Sequence, residues 1–187
     1  MNLTELANKY GTDKGDKNYE AHNYTPIYES FIFRDKPVTL LEIGVNDPRF
    51  PGASLYMWAE YLHPKSRIYG LDITPPNIPL PDNVTVVYAD QSNLFSLFKA
   101  INLIGEPSFD YITDDGFHSF EHQIVSFIEL FQMIKPGGTY FIEDCHARDC
   151  GNTVKFFKNM SESTADLFGI ETIGFETNDK LIVIQKK

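Results

Sequence analysis

The sequence predicts an α/β protein with a doubly wound, seven-stranded sheet, mostly parallel and closed by a C-terminal antiparallel hairpin. Strand-length apolar runs, starting at Val38–Ile43, alternate with helix-periodic segments over five units. Several of those runs end in acids or glycine: Glu42-Ile43-Gly44, Asp72, Asp90 and Asp114-Asp115-Gly116. The last two runs, Ile170–Phe175 and Leu181–Gln185, flank Thr177-Asn178-Asp179 as a hairpin would.

At 187 residues the chain has the size of one domain with a substantial core, and we expect a single domain over 1–187. A net charge of −10 argues against a broad nucleic-acid surface, which needs a basic footprint. Met1–Asp16 is polar and lacks the apolar segment of a signal peptide. No apolar run approaches the roughly 20 residues of a membrane span. Cys145 and Cys150 are too few for a disulfide framework and read as two thiols in a reducing compartment, the cytoplasm.

In chain order, Thr4 is placed to cap a short helix, ELANKY. The polar run GTDKGDKNYEAHNYTP follows, either a mobile arm or a segment ordered by ligand. Pro26 opens a helix whose apolar face is Ile27, Tyr28, Phe31 and Ile32. After Val38–Ile43 comes a helix with Leu55, Trp58, Ala59 and Leu62 on one face, then strands at Arg67–Leu71 and Val84–Ala89. Leu94–Ile104 reads as helix, Phe109–Thr113 as strand, and Phe120, Ile124, Phe127, Ile128 and Phe131 recur at helical spacing. Pro136-Gly137-Gly138 stops that helix, Gly138–Ile142 is the fifth strand, and about 152–166 reads as helix.

The stretch Ser108–Gln123, SFDYITDDGFHSFEHQ, carries the chemistry. It puts Asp114, Asp115 and His118 at the carboxyl end of a strand, where open α/β sheets bind ligands. GGTYFIEDCH repeats the layout with Glu143-Asp144. If the two strands are neighbours, four carboxylates converge, and such a cluster needs a cation or shared protons. His118, beside the acids, suits a general base. His122, four residues on along the same helix face, opposite Phe120, Ile124 and Phe131, reads as a solvated surface histidine. A zinc site from the two histidines and an acid lacks thiolates and a third histidine, and ranks below magnesium.

At the first strand, GVNDPRFPG stands where a dinucleotide fingerprint would read GxGxxG, which argues against NAD or FAD. S-adenosylmethionine has no phosphate to cradle and needs fewer glycines. Gly44 lets the backbone approach a ligand, Asp72 can accept from ribose hydroxyls, and Asp90 beside Gln91 can accept from an adenine amino group. Any one acid could merely cap a loop, but Glu42, Asp72 and Asp90 in strand-end register point to a ligand.

The runs LANKYGTDKG, YTPIYESF, LLEIGV, GASLYMW, YGLDI, ADQS, DDGFHSFEHQIVSF and IKPGGTYFIEDCH resemble one family. It is the metal-dependent class I O-methyltransferases, which include macrolide-sugar methyltransferases and cephalosporin-biosynthesis (cephalosporin hydroxylase-like) proteins. The likeness implies the Rossmann-like class I methyltransferase fold, with residues 1–36 as a helical arm over the cleft. It implies S-adenosylmethionine at Gly44, Asp72, Asp90 and Gln91, with Glu42, Asp114, Tyr10, Thr12 and Lys14 as further contacts. Asp114 has the alternative of organising its turn, and the arm residues that of a flexible tail. The loop Asn46–Pro51 departs from the shorter Gly-rich turn of relatives.

By the same resemblance, Asp115, Glu143 and Asp144 hold a divalent metal, for which all-oxygen ligands favour Mg²⁺, and His118 is the base. The implied reaction is methyl transfer to a hydroxyl of a sugar or other glycan, with Asp115 and His118 at the reacting oxygen. The partner is then a small-molecule or glycan acceptor rather than nucleic acid or membrane, and a homo-oligomer is left open. A catechol or other phenol is the alternative acceptor, with Phe117, Phe50 or Tyr24 as aromatic walls. Two other classes remain: a non-catalytic cofactor-binding module, and a metal-dependent hydrolase, which would leave Asp72 and Asp90 without a role.

Overall fold

The computed structural model describes residues 1–17, 20–145, 156, 159, 163–169 and 180–187; for 163–169 and 180 it describes the backbone alone. In chain order the elements are α1 (Leu3–Tyr10), α2 (Thr25–Phe31), β1 (Thr39–Ile43), α3 (Ala53–Tyr61), β2 (Arg67–Asp72) and β3 (Val84–Tyr88). There follow α4 (Leu94–Ile104), β4 (Phe109–Asp114), α5 (Phe120–Leu130), a short 3₁₀ turn, β5 (Ile134–Ile142), β6 (Ser163–Gly169) and β7 (Lys180–Lys186).

The strands form one sheet in the order β3-β2-β1-β4-β5-β7-β6. The pairs from β3 through β5 are parallel, and β7 runs antiparallel to both β5 and β6. A mostly parallel α/β sheet with a C-terminal antiparallel pair is therefore present. The order reverses between β1 and β4, the switch point where such sheets open a crevice.

Alternation along the strands divides the core in two. Leu40, Tyr111 and Phe141 point to the face covered by α1, α2 and α3, where Tyr28 packs edge-on to Trp58 at 5.3 Å and lies 4.6 Å from Phe141. Leu41, Ile112 and Tyr140 point to the face covered by α4 and α5, with Phe127 5.2 Å from Tyr140.

Four local expectations are corrected. Asn2, not Thr4, caps α1: its side chain accepts from Glu5 N–H while Glu5 reaches back to Asn2, a capping box. In α5, Ile128 is exposed and the buried face includes Gln123 and Ser126, because those polar groups serve the strand ends described below. His118 precedes the helix, whose N-cap is Ser119, so His118 and His122 do not share a helix face. The penultimate strand is Ser163–Gly169, which overlaps the end of the expected helix. It replaces Ile170–Phe175 as the partner of β7; residues 170–179, which include the expected turn, lie outside the described residues. Cys145 is buried, and Cys150 lies outside the described residues. Among the described residues no helix is long and apolar enough to cross a membrane.

Candidate functional site

The carboxyl ends of β2, β1, β4 and β5 are tied in a staircase. Gly44 N–H donates to Leu71 C=O at 2.8 Å, Asp115 N–H to Ile43 C=O at 2.9 Å, and Glu143 N–H to Asp114 C=O at 2.9 Å. Each strand thus hands its first residue past the pleat to the same rim. Above that rim lies a cavity of about 990 Å³, at the upper end of the usual size for small-molecule sites. Gly44, Asp72, Asp90 and Gln91 line it, with Thr12, Asp13 and His22 from the segment between α1 and α2. Asp115, His118, His122 and Asp144 also line it, and Phe50, Ile73 and Phe117 add apolar surface.

The acids divide into three settings. Asp114 is fully buried beneath the rim: Gln91 donates to its Oδ1 at 2.6 Å, the Ser126 hydroxyl donates to Oδ2, and Tyr140 lies 3.3 Å away. Burial pushes its carboxyl up to about 6, against the pull of those donors. Asp114 does not line the cavity, so the turn-organising alternative describes it and the cofactor contact does not. Gln91 is a brace at the same point, since its Oε1 also accepts from Phe117 N–H at 2.8 Å.

The second setting is internal. Lys14, fully buried, bonds Asp115 Oδ2 and lies 2.9 Å from Glu143 and 3.3 Å from Glu42. Burial alone would lower its pKa, but the three carboxylates hold the ammonium well above its ordinary value. Glu42 is fully buried and, lacking a hydrogen-bond partner of good geometry, is pushed up to about 7, chiefly by burial. Burial and the neighbouring Glu143 raise Asp115 well above the usual carboxylate range, while Lys14 opposes them. The arm is thus ordered on the strand ends, and Lys14 sits on acids rather than in the cavity.

The third setting opens to the cavity. Asp115, His118 and Asp144 can each offer a ligand atom within 4.8 Å of one another, and His118 Nε2 is 3.4 Å from Asp144 Oδ2. Asp144 has φ +52°, a left-handed backbone that Asp tolerates better than most residues and that turns its side chain out of the strand alternation. Glu143 groups instead with Glu42 and Asp115, and its Oε1 accepts from Tyr28 Oη at 2.5 Å. The two sets share Asp115. The donors are oxygens and one imidazole, and the two sets together hold four carboxylates, three of them around the single ammonium of Lys14, which fits a hard divalent cation. His122 joins neither set; its Nδ1 lies 2.6 Å from the Ser119 hydroxyl at the helix cap.

The remaining candidates sort by place. Asp72 lines the cavity, yet Oδ2 accepts from Val45 and Asn46 N–H, each at 2.9 Å, and Oδ1 from Thr74 N–H at 2.7 Å. Asp90 lines it too, with Oδ1 accepting from Ser92. Gly44 lines the cavity and is also crowded by protein: a Cβ there would collide with the Asp115 carbonyl. Tyr10 is a correction, since it is directed to the surface, bonds Glu60 and stacks on Tyr56, away from the cavity. His22 and Tyr28 are not among the residues the sequence nominates for the site, and Tyr24 is nominated only as an aromatic wall. Tyr24 Oη donates to Asp144 Oδ1 at 2.7 Å, and His22 Nε2 lies 3.7 Å from the same atom. The one signal for His22 and Tyr24 is a polar aromatic set, His22-Asn23-Tyr24, in a polar segment, whereas Tyr28 reads as part of an apolar helix face.

Fold and rim together define an α/β methyltransferase-like protein, its cavity set over the switch point of the sheet. In sequence the chain is similar to named O-methyltransferases, one of them acting on a rhamnosyl group. Over 147 residues, 76% of this chain, it is 39% identical to the 8-demethyl-8-alpha-L-rhamnosyl tetracenomycin-C 2'-O-methyltransferase of Streptomyces olivaceus. It is 37% identical over 147 residues to the demethylmacrocin O-methyltransferase of Streptomyces fradiae. These matches cover 37% and 36% of the two relatives, so the chain spans little more than a third of their length. Among solved structures, the MycE methyltransferase of mycinamycin biosynthesis, in complex with Mg, SAH and mycinamycin VI, superposes on all of this chain and 54% of its own. The TM-score is 0.74 and the identity 25%. No protein-family model matches.

Proposed function

We propose that this chain is a cation-dependent O-methyltransferase unit acting on a sugar hydroxyl. The observation that carries the reading is the juxtaposition of a roomy cavity with the Asp115–His118–Asp144 cluster on its wall. The names of the relatives point the same way. Asp72, Asp90 and the Gly44 backbone would hold the nucleoside end of S-adenosylmethionine, with Ile73 as apolar cover. Asp115, Glu143 and Asp144 would hold Mg²⁺. When bound, the cation lowers the pKa of a hydroxyl it touches, and S-adenosylmethionine provides the methyl group.

The protein's own part is orientation and proton removal. Asp115 and Asp144 fix one side of the acceptor oxygen. His118, 3.4 Å from Asp144, takes the hydroxyl proton on Nε2 and holds it as an imidazolium paired with that carboxylate. Phe117 and Phe50 form the rim against which the rest of an acceptor would lie, and they support a phenolic acceptor as the second reading. Tyr24 is buried and takes no part in such a wall.

The test is calorimetric titration with S-adenosylmethionine, with and without Mg²⁺, followed by mass spectrometry of rhamnosylated and phenolic acceptors. We expect cofactor binding and a gain of one methyl group on a sugar. Absence of cofactor binding under every cation condition would overturn the reading.

A further inference from the structure

Each of the three carboxylates proposed as cation ligands has one oxygen taken by a donor from the N-terminal segment. Lys14 Nζ bonds Asp115 Oδ2. Glu143 Oε1 accepts from Tyr28 Oη at 2.5 Å and lies 2.9 Å from Lys14 Nζ. Asp144 Oδ1 accepts from Tyr24 Oη at 2.7 Å. The opposite oxygens, Asp115 Oδ1, Glu143 Oε2 and Asp144 Oδ2, take no part in these contacts, and Asp144 Oδ2 is the one that meets His118.

All three donors are fully buried, so each presents its proton from a fixed point. Their backbone is braced as well. Thr25 N–H donates to Lys14 C=O at 3.2 Å, His22 N–H to Asp13 C=O at 2.7 Å, and Asn23 N–H to Gly15 C=O at 2.7 Å. Asn8 pins the turn by accepting from the N–H groups of Asp16 and Lys17. A carboxylate with one oxygen held in this way loses its freedom to rotate, and its second oxygen is aimed.

We infer that Lys14, Tyr24 and Tyr28 are positioning residues for a divalent cation, each clamping one carboxylate oxygen so that the other is presented to the ion. This rests on the cation-dependent reading above. It makes the segment before β1 part of the cation site rather than a cover for the acceptor alone. Lys14 also occupies the point between Glu42, Asp115 and Glu143, and so closes the inner carboxylate set to a second ion.

The experiment measures Mn²⁺ affinity of the metal-stripped protein by calorimetry, without S-adenosylmethionine or acceptor, for wild type, Tyr24→Phe, Tyr28→Phe and Lys14→Gln. Tyr24→Phe removes one hydroxyl and keeps the ring stacked on His22, so it tests the inference even if Lys14→Gln fails to fold. Losing such an outer partner costs about 10- to 100-fold in metal affinity, and that weakening is expected for both phenylalanine variants. A merely structural role would lower the cation-free melting temperature and leave the Mn²⁺ affinity of the folded variants within about twofold of wild type. That result would overturn the inference alone. Wild-type protein that binds no Mn²⁺ would overturn both it and the proposed function.

Discussion

Replacing Gly44 with alanine tests how the site is assembled. The residue has φ +81°, and an added Cβ would meet the Asp115 carbonyl, 2.6 Å from its carbon and 2.9 Å from Gly116 Cα. All of these are backbone atoms, so nothing can swing aside. The left-handed conformation costs alanine roughly 1–2 kcal/mol. Separating the ends of β1 and β4 would stretch the 2.9 Å bond from Asp115 N–H to Ile43 C=O, worth about 1 kcal/mol. Displaced packing adds about 1–3 kcal/mol. The sum, roughly 3–6 kcal/mol, is a large part of the stability of a typical domain. Gly105 supplies the control, because it has φ +69° with nothing within 4 Å of its Cβ position. Gly105→Ala should cost only the roughly 1–2 kcal/mol of backbone strain. Urea unfolding of the cation-free variants measures both. A Gly44→Ala stability within about 0.5 kcal/mol of Gly105→Ala would refute the collision and the rigid staircase it implies.

Other perturbations address the acids separately. The Glu42 carboxyl is raised from 4.5 to about 7 in the folded chain, so the native state holds a proton that the unfolded state has lost. Its contribution is therefore full below pH 4.5 and disappears by pH 7, about 3 kcal/mol in all, and Glu42→Gln should flatten that slope in cation-free melts. A slope unchanged in Glu42→Gln would place the proton elsewhere. Ser126→Ala withdraws a hydroxyl from buried Asp114 and should cost about 1–3 kcal/mol in urea, while calorimetric cofactor affinity stays unchanged. His118→Gln should lower turnover by about 10²- to 10⁴-fold and leave cofactor affinity intact; loss of cofactor binding instead would remove His118 from the base role.

Much of this was legible before any coordinates. Parallel strands buried on both faces carry continuous apolar runs, and their ends are marked by the acids and glycines that follow. The acids at the ends of β2, β3, β4 and β5 could therefore be placed at one edge from spacing alone. Elements whose signal is weak went astray. Ser163–Gly169 reads STADLFG, with little β-branched content, and is a strand because β7 offers it a partner. Ile128 fits a helical stripe yet faces solvent, and the buried positions go to Gln123 and Ser126, which bond Glu143 C=O and Asp114. Periodicity counts apolar residues and is blind to a polar side chain buried to satisfy a strand end.

Local sequence was sufficient for the alternation of strand and helix and for the acids at the strand ends. Those features depend on contacts within a few residues or on a repeating pattern. Which oxygen of which acid is free was decided by packing across the chain. Lys14 meets Asp115 across 101 residues, and Tyr24 meets Asp144 across 120. Nothing near Lys14 in the sequence distinguishes an ammonium buried among three carboxylates from one in solvent. Only the folding of α1 and α2 against the β1 face brings it there, because burying Trp58, Tyr28 and Phe141 together draws that segment over the strand ends.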